Sequence, residues 1–207
     1  MTSAQEKLWA ELRALDSGEV AVRASVSLEN PAHGEPGEPR GLPQRAAYLL
    51  RFMDRLYRVD PWEETLEGAG LDSELALALL YYLVHASEVQ TRGRWVSEKD
   101  LPGGSQFFRG VHALVLHPLV ERFGRDAAGF RRVSTRLGGQ ALDFGDASSS
   151  FTALPRIPVG FVLWEEDPEF PARVTALFDS SISAHFPLDV VLALVHCAVK
   201  RIVEAAG

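Results

Sequence analysis

The densest potential chemistry in this 207-residue chain is the acidic run Glu165-Glu166-Asp167-Pro168-Glu169, placed directly after the apolar stretch Ile157 to Trp164. Carboxylate oxygens at the end of a strand are the ligands a hard divalent cation takes. Strand alternation sends Glu165 and Asp167 to one side and Glu166 to the other. Glu165, Asp167, Glu169 and Asp179 are therefore the candidate metal ligands, with Asp146 as an alternative fourth. Such a set would serve a divalent-metal-assisted enzyme; the plain alternative is a solvated turn. Paired carboxylates also transfer protons, but that needs a nearby reacting group and a shifted pKa.

The histidines offer less. His112 and His117 are five apart, which separates them by about 140° on a helical wheel and denies them a shared ligand position on one straight helix. His85 and His185 fall near predicted element ends, where each is a candidate axial ligand to the iron or cobalt of a tetrapyrrole or corrinoid, against an ordinary polar contact. Gly103-Gly104 precedes a predicted helix, whose free backbone N–H groups hold anions. The Lys and Ser of a phosphate loop are missing at the required spacing, so a tight turn is the simpler reading. His85, His185, Gly103, Gly104 and Trp164 form the candidate cofactor-binding set.

No catalytic constellation assembles. Ser148, Ser149 and Ser150 lack the Gly-x-Ser-x-Gly elbow of a serine nucleophile. The single cysteine, Cys197, excludes an intramolecular disulfide and any multi-cysteine zinc or iron–sulfur site within one chain. The reading leans away from an enzyme.

Bulk properties narrow the class. The chain is 46% apolar and 24% charged, with a net charge of −7. That balance argues against nucleic acid, which is bound by clustered Lys and Arg. No apolar run approaches the roughly 20 residues a membrane helix needs. The N-terminal Leu8, Trp9, Leu12 and Leu15 are spaced as a helix and not as a secretory leader, which predicts a cytoplasmic protein.

The elements that must position these residues follow from periodicity. Glu19 to Leu28 alternates Val20, Val22, Ala24, Val26 and Leu28 with other residues and predicts a strand. Residues 30–44 hold four prolines and three glycines and predict a mobile loop. Ala46 to Met53 and Leu56 to Val59 predict a hairpin, and Ser73 to Ala86 a core helix whose N-cap is offered by Leu71-Asp72-Ser73. Gly93 to Ser97 is a short strand. A long helix follows Gly104, carrying Phe107, Phe108, Val111, Leu114 and Val115 on one face, with a kink or restart at His117-Pro118. Gly124 to Leu137 is a further helix; Ala141 to Phe144, Ser150 to Leu154, Ile157 to Trp164 and Val174 to Phe178 are strands; Leu188 to Val203 is the last helix. The order predicts an α+β single domain over residues 1–207, an antiparallel or mixed sheet packed against several helices, with Glu19 to Leu28 and Ile157 to Trp164 in one sheet.

Leu79-Leu80-Tyr81-Tyr82-Leu83, Arg94-Trp95-Val96-Ser97 through Gly104, Pro118-Leu119 through Gly124, Gly145-Asp146-Ala147-Ser148, and Trp164 through Pro171 to Leu177-Phe178-Asp179 occur in one order. Together they make the chain resemble the prokaryotic family called domain of unknown function 3786 (DUF3786), from about Glu19 to the last helix. The resemblance implies a setting in anaerobic bacteria and archaea. Some members are joined to an iron–sulfur segment like those of corrinoid-dependent one-carbon metabolism. With one cysteine here, any cluster would belong to an iron–sulfur or corrinoid protein partner. The expectation is a non-catalytic cofactor- or partner-binding domain. The alternatives are the metal-assisted enzyme above and a protein–protein interaction module that docks through Trp62, Trp95 and Trp164.

Overall fold

In a computed structural model, described here over residues 3–29 and 45–207, helix α1 (Ser3–Ala14) buries Leu8, Trp9 and Leu12. Asp16 then caps α2 (Ser17–Ala24) by accepting from the Glu19 amide at 2.9 Å. This corrects the strand expected over Glu19 to Leu28. Val20 and Ala24 are four apart, the spacing of one helical face, and both are fully buried, while Val22 between them is 64% exposed. The short stretch satisfied both periods, and the Asp16 cap decided between them. Ser25, at φ 54°, ends the helix, and only Ser27–Glu29 (β1) is extended.

The expected loop at 30–44 lies outside the described residues. β2 (Ala47–Phe52) and β3 (Arg55–Asp60) form the predicted hairpin, turning at Met53 and Asp54, and β4 (Thr65–Glu67) completes an antiparallel four-stranded sheet in the order β1-β2-β3-β4. Within the run expected to supply the N-cap, Asp72 caps α3 (Ser73–His85), and most of that helix is buried.

The long helix expected after Gly104 is a second correction. Four residues, Gly104–Phe107 (α4), a 3-10 turn at Gly110–His112 and an irregular stretch precede α5 (His117–Phe123). Gly110 stands at φ +57°, off any helix, and Val111 is 94% exposed; Pro118 starts the next helix instead of kinking one. α6 (Ala127–Arg136) ends at the two glycines foreseen for it.

β5 (Trp95–Val96), β6 (Gln140–Ala141), β7 (Ala147–Leu154), β8 (Ile157–Trp164) and β9 (Arg173–Asp179) form a second antiparallel sheet, ordered β5-β9-β8-β7-β6. Two sheets thus replace the single one expected, and Ile157–Trp164 shares no sheet with Glu19 to Leu28, which is helical up to Ala24. The class is α+β. Helix α7 (Leu188–Ala206) packs on α3, α5 and α6, and one continuous hydrophobic core joins these helices to both sheets. Among the described residues no helix is long and apolar enough to cross a membrane.

Candidate functional site

The two sheets meet where the hairpin turn of the first reaches the bulged end of β7. Met53 holds φ at +52° and donates its amide to the Ala153 carbonyl at 3.1 Å. Beside this junction lies a groove of about 540 Å³, lined by Ser25, Val26 and Ser27 from the α2–β1 stem, Leu49 to Arg51 and Met53 from the hairpin, Leu56 from β3, and Thr152 and Pro155 from the β7–β8 end.

Polar contacts fix the walls of the groove. The Tyr82 hydroxyl donates to the Ala24 carbonyl at 2.7 Å and accepts from the Arg156 amide at 3.1 Å. The Arg156 guanidinium donates to the Arg23 carbonyl at 2.7 Å and the Val22 carbonyl at 3.1 Å, so it closes the end of α2. Arg23 in turn donates to the Leu83 and Ala86 carbonyls, each at 2.7 Å, at the end of α3. Desolvation at this knot pushes the Tyr82 hydroxyl well above its ordinary value, so it stays a neutral donor.

A second polar assembly runs along α7. Lys200 donates to Asp72 at 2.9 Å and Glu74 at 3.1 Å, His196 meets Glu74 at 3.1 Å, and Arg201 grips Asp54 with two bonds at 2.9 and 2.7 Å. Asp72, Glu74 and Cys197 bring potential ligand atoms within 4.8 Å of one another, the one such group found among the described residues. The Lys200 ammonium, whose pKa these hydrogen bonds raise, already supplies the positive charge a cation would bring. Burial pushes the Cys197 thiol up to about 12, far from the thiolate that binds metal or attacks an electrophile. A cavity of about 30 Å³ here is the size of one water molecule.

The acidic turn is occupied with local work. Glu165 accepts from the Ala127 amide at 2.8 Å and so caps α6, Glu166 pairs with Arg125 at 2.5 Å, and Asp167 accepts from the Glu169 and Phe170 amides at 2.8 and 2.7 Å. Glu169 is exposed. Asp146 accepts from the Glu165 amide at 2.8 Å. Asp179 is buried and receives the amides of Arg92, Gly93 and Ser181 together with the Ser181 hydroxyl. Burial alone would raise its carboxyl pKa, but these bonds outweigh that and hold it below the ordinary value. The structure does not draw Glu165, Asp167, Glu169 and Asp179 to one point.

The candidate cofactor residues are likewise dispersed. His185 is 3% exposed; its Nδ1 takes the Ser87 amide at 3.3 Å. Its Nε2 makes no hydrogen bond of normal geometry, although the Val89 carbonyl acts on the ring. Burial first, and Arg156 second, lower its pKa and keep it neutral. An axial ligand needs an open side for a planar macrocycle, and an enclosed ring does not offer one. His85 is exposed and rests on Tyr81 at 4.2 Å, with Glu11 at 3.8 Å. Gly103 and Gly104 form a tight turn: the Gly104 amide donates to the Leu101 carbonyl at 2.8 Å, and a Cβ on Gly104 would fall 1.9 Å from the Glu98 carbonyl oxygen. Trp164 stacks beneath Arg173 at 4.2 Å, Trp62 beneath Arg45 at 5.3 Å, and Trp95 sits on a separate edge strand. All three tryptophans are half-buried.

Sequence reasoning did not find the groove, because its lining comes from three separated segments with no shared motif. The one legible signal was Arg51 standing in an otherwise apolar hairpin strand.

The family model described as Domain of unknown function (DUF3786) matches residues 40–201, most of the chain, which therefore belongs to that family. No curated protein and no solved structure matches it.

Proposed function

We propose that this DUF3786 chain is a non-catalytic binding domain and that the groove beside Met53 and Ala153 is its binding surface. The carrying observation is a contrast. The groove's volume of about 540 Å³ falls within the range of small-molecule sites. Its described lining offers apolar walls, three hydroxyls and one guanidinium, while the thiol, the buried histidine and the buried carboxylate singled out above are neutralised or engaged by their neighbours. A binding surface leaves recognition groups open; a catalytic one needs an activated nucleophile or base.

A connection to corrinoid, tetrapyrrole or one-carbon chemistry, or to an iron–sulfur or corrinoid protein, rests on the family resemblance alone. The enclosed His185 and a groove whose described lining holds no histidine both disfavour an axially ligated tetrapyrrole. A fragment screen read by amide chemical shifts tests the proposal. Binders should perturb Ser27, Leu49, Arg51, Met53 and Thr152; binders that gather instead at the acidic turn or along α7 would overturn it.

A further inference from the structure

We infer that the groove takes an apolar carboxylate, a small molecule with one carboxyl group on a hydrocarbon body; this rests on the groove being the binding surface. The discriminating residue is Arg51. It shares the outer face of the first sheet with Arg58, but Arg58 is neutralised by Glu29 at 2.6 Å and Asp60 at 3.1 Å. Arg51, exposed and paired in register with Leu56, has no hydrogen-bond or ion-pair partner among the described residues. Among the described residues no carboxylate lines the groove, although the chain as a whole carries a net charge of −7. A lone cation in an acidic molecule is an attractor for an anion.

The rest of the lining sets the class of that anion. A guanidinium presents its N–H groups in a planar fork that matches a carboxylate with two parallel bonds. Among the described lining residues Arg51 is the one cation, which suits a monoanion better than a doubly charged phosphate. Leu49, Val26, Met53, Leu56 and Pro155 form the apolar walls, and Leu56 is 50% exposed. Ser27 and Thr152 add hydroxyls able to donate to the second carboxylate lone pairs. A hydrocarbon body against the walls and a carboxylate on Arg51 satisfy both halves of the groove at once.

Octanoate, octanamide, octylamine and octyl phosphate are matched probes, titrated calorimetrically and by amide shifts into the wild-type chain, Arg51→Gln and Arg51→Lys. Octanoate should perturb the groove amides, and octanamide should bind at least about tenfold more weakly, the loss expected for one charge-assisted bond. Arg51→Gln should bring octanoate down to the level of octanamide, with Arg51→Lys between. Arg51 is exposed, so the fold should persist, and the wild-type comparison of octanoate with octanamide needs no variant. Equal binding of octanoate and octanamide, or an unchanged affinity in Arg51→Gln, overturns the carboxylate assignment and leaves the groove standing. Tighter octylamine or octyl phosphate overturns it as well. Silence of the groove amides toward all four probes overturns the binding surface itself.

Discussion

The Met53 amide donates to the Ala153 carbonyl at 3.1 Å, a hydrogen bond that ties the hairpin of the first sheet to the second. It is formed from a residue at φ +52°, a region that costs an ordinary side chain about 1–2 kcal/mol. The turn holds that conformation because the amide must face β7 while the side chain, 7% exposed, packs into the core.

Two substitutions separate these contributions. Met53→Gly keeps the amide and relaxes the backbone while losing the side chain; Met53→Pro removes the donor and fixes φ near −65°. Chemical denaturation should show Met53→Pro to be the less stable by about 2 kcal/mol or more. Equal stability would mean that the hydrogen bond does not hold the sheets together.

The acidic turn should behave as a structural cap. Glu165→Gln/Asp167→Asn weakens the bond to the Ala127 amide and the Asp167 turn, and should cost roughly 1 kcal/mol, the usual scale of a lost helix cap. Calorimetry of the wild type should show no shift with calcium, magnesium or manganese. A stabilisation by any of these ions, abolished in the double variant, would restore the turn as a cation site.

Acidification should destabilise the fold in two steps. His185 has a folded pKa below its ordinary 6.5, so the unfolded chain takes up the proton first. Its contribution is complete above 6.5 and is lost as pH falls from there through the lower folded value. Asp54, Asp72 and Asp179 also sit below their ordinary 3.8; burial opposes this, but their hydrogen bonds and the neighbouring cations prevail at Asp54 and Asp72, and hydrogen bonds alone at Asp179. Their stability is present above 3.8 and is lost below it. Melting curves of wild type and His185→Gln should therefore converge as pH falls from 7 toward 5, because only the wild type loses the His185 contribution there, whereas His85, whose pKa burial also lowers, acts alike in both. Parallel curves would show that the ring titrates alike in folded and unfolded chains.

Much of the fold was legible where one signal acted alone. The Asp72 cap, the hairpin, Ile157–Trp164 and the last helix each carried an unambiguous period or a boundary residue. The sequence misled where two signals coincided. Val20 and Ala24 fit both a strand of period two and one face of a helix, and the deciding Asp16 cap precedes the segment. Phe107 to Val115 has helical spacing, yet Gly110 adopts a backbone no helix accepts. The candidate residues were the least legible part. Asp179 and Glu165 read as free ligands because the Arg92 and Ala127 amides they accept lie 87 and 38 positions away, and the local Ser181 contact at Asp179 does not reveal them. Nothing local announces a groove that needs Ser27, Arg51 and Thr152 side by side.

Filling the groove tests its role most directly. Ser27 and Thr152 are both exposed on its rim, so Ser27→Trp and Thr152→Trp place bulk in the opening without entering the core. Affinity for the tightest fragment from the screen should fall by at least about tenfold in each variant, with thermal midpoints within a few degrees of wild type. Wild-type affinity retained in both variants, with the fold intact, would contradict the groove as the binding surface.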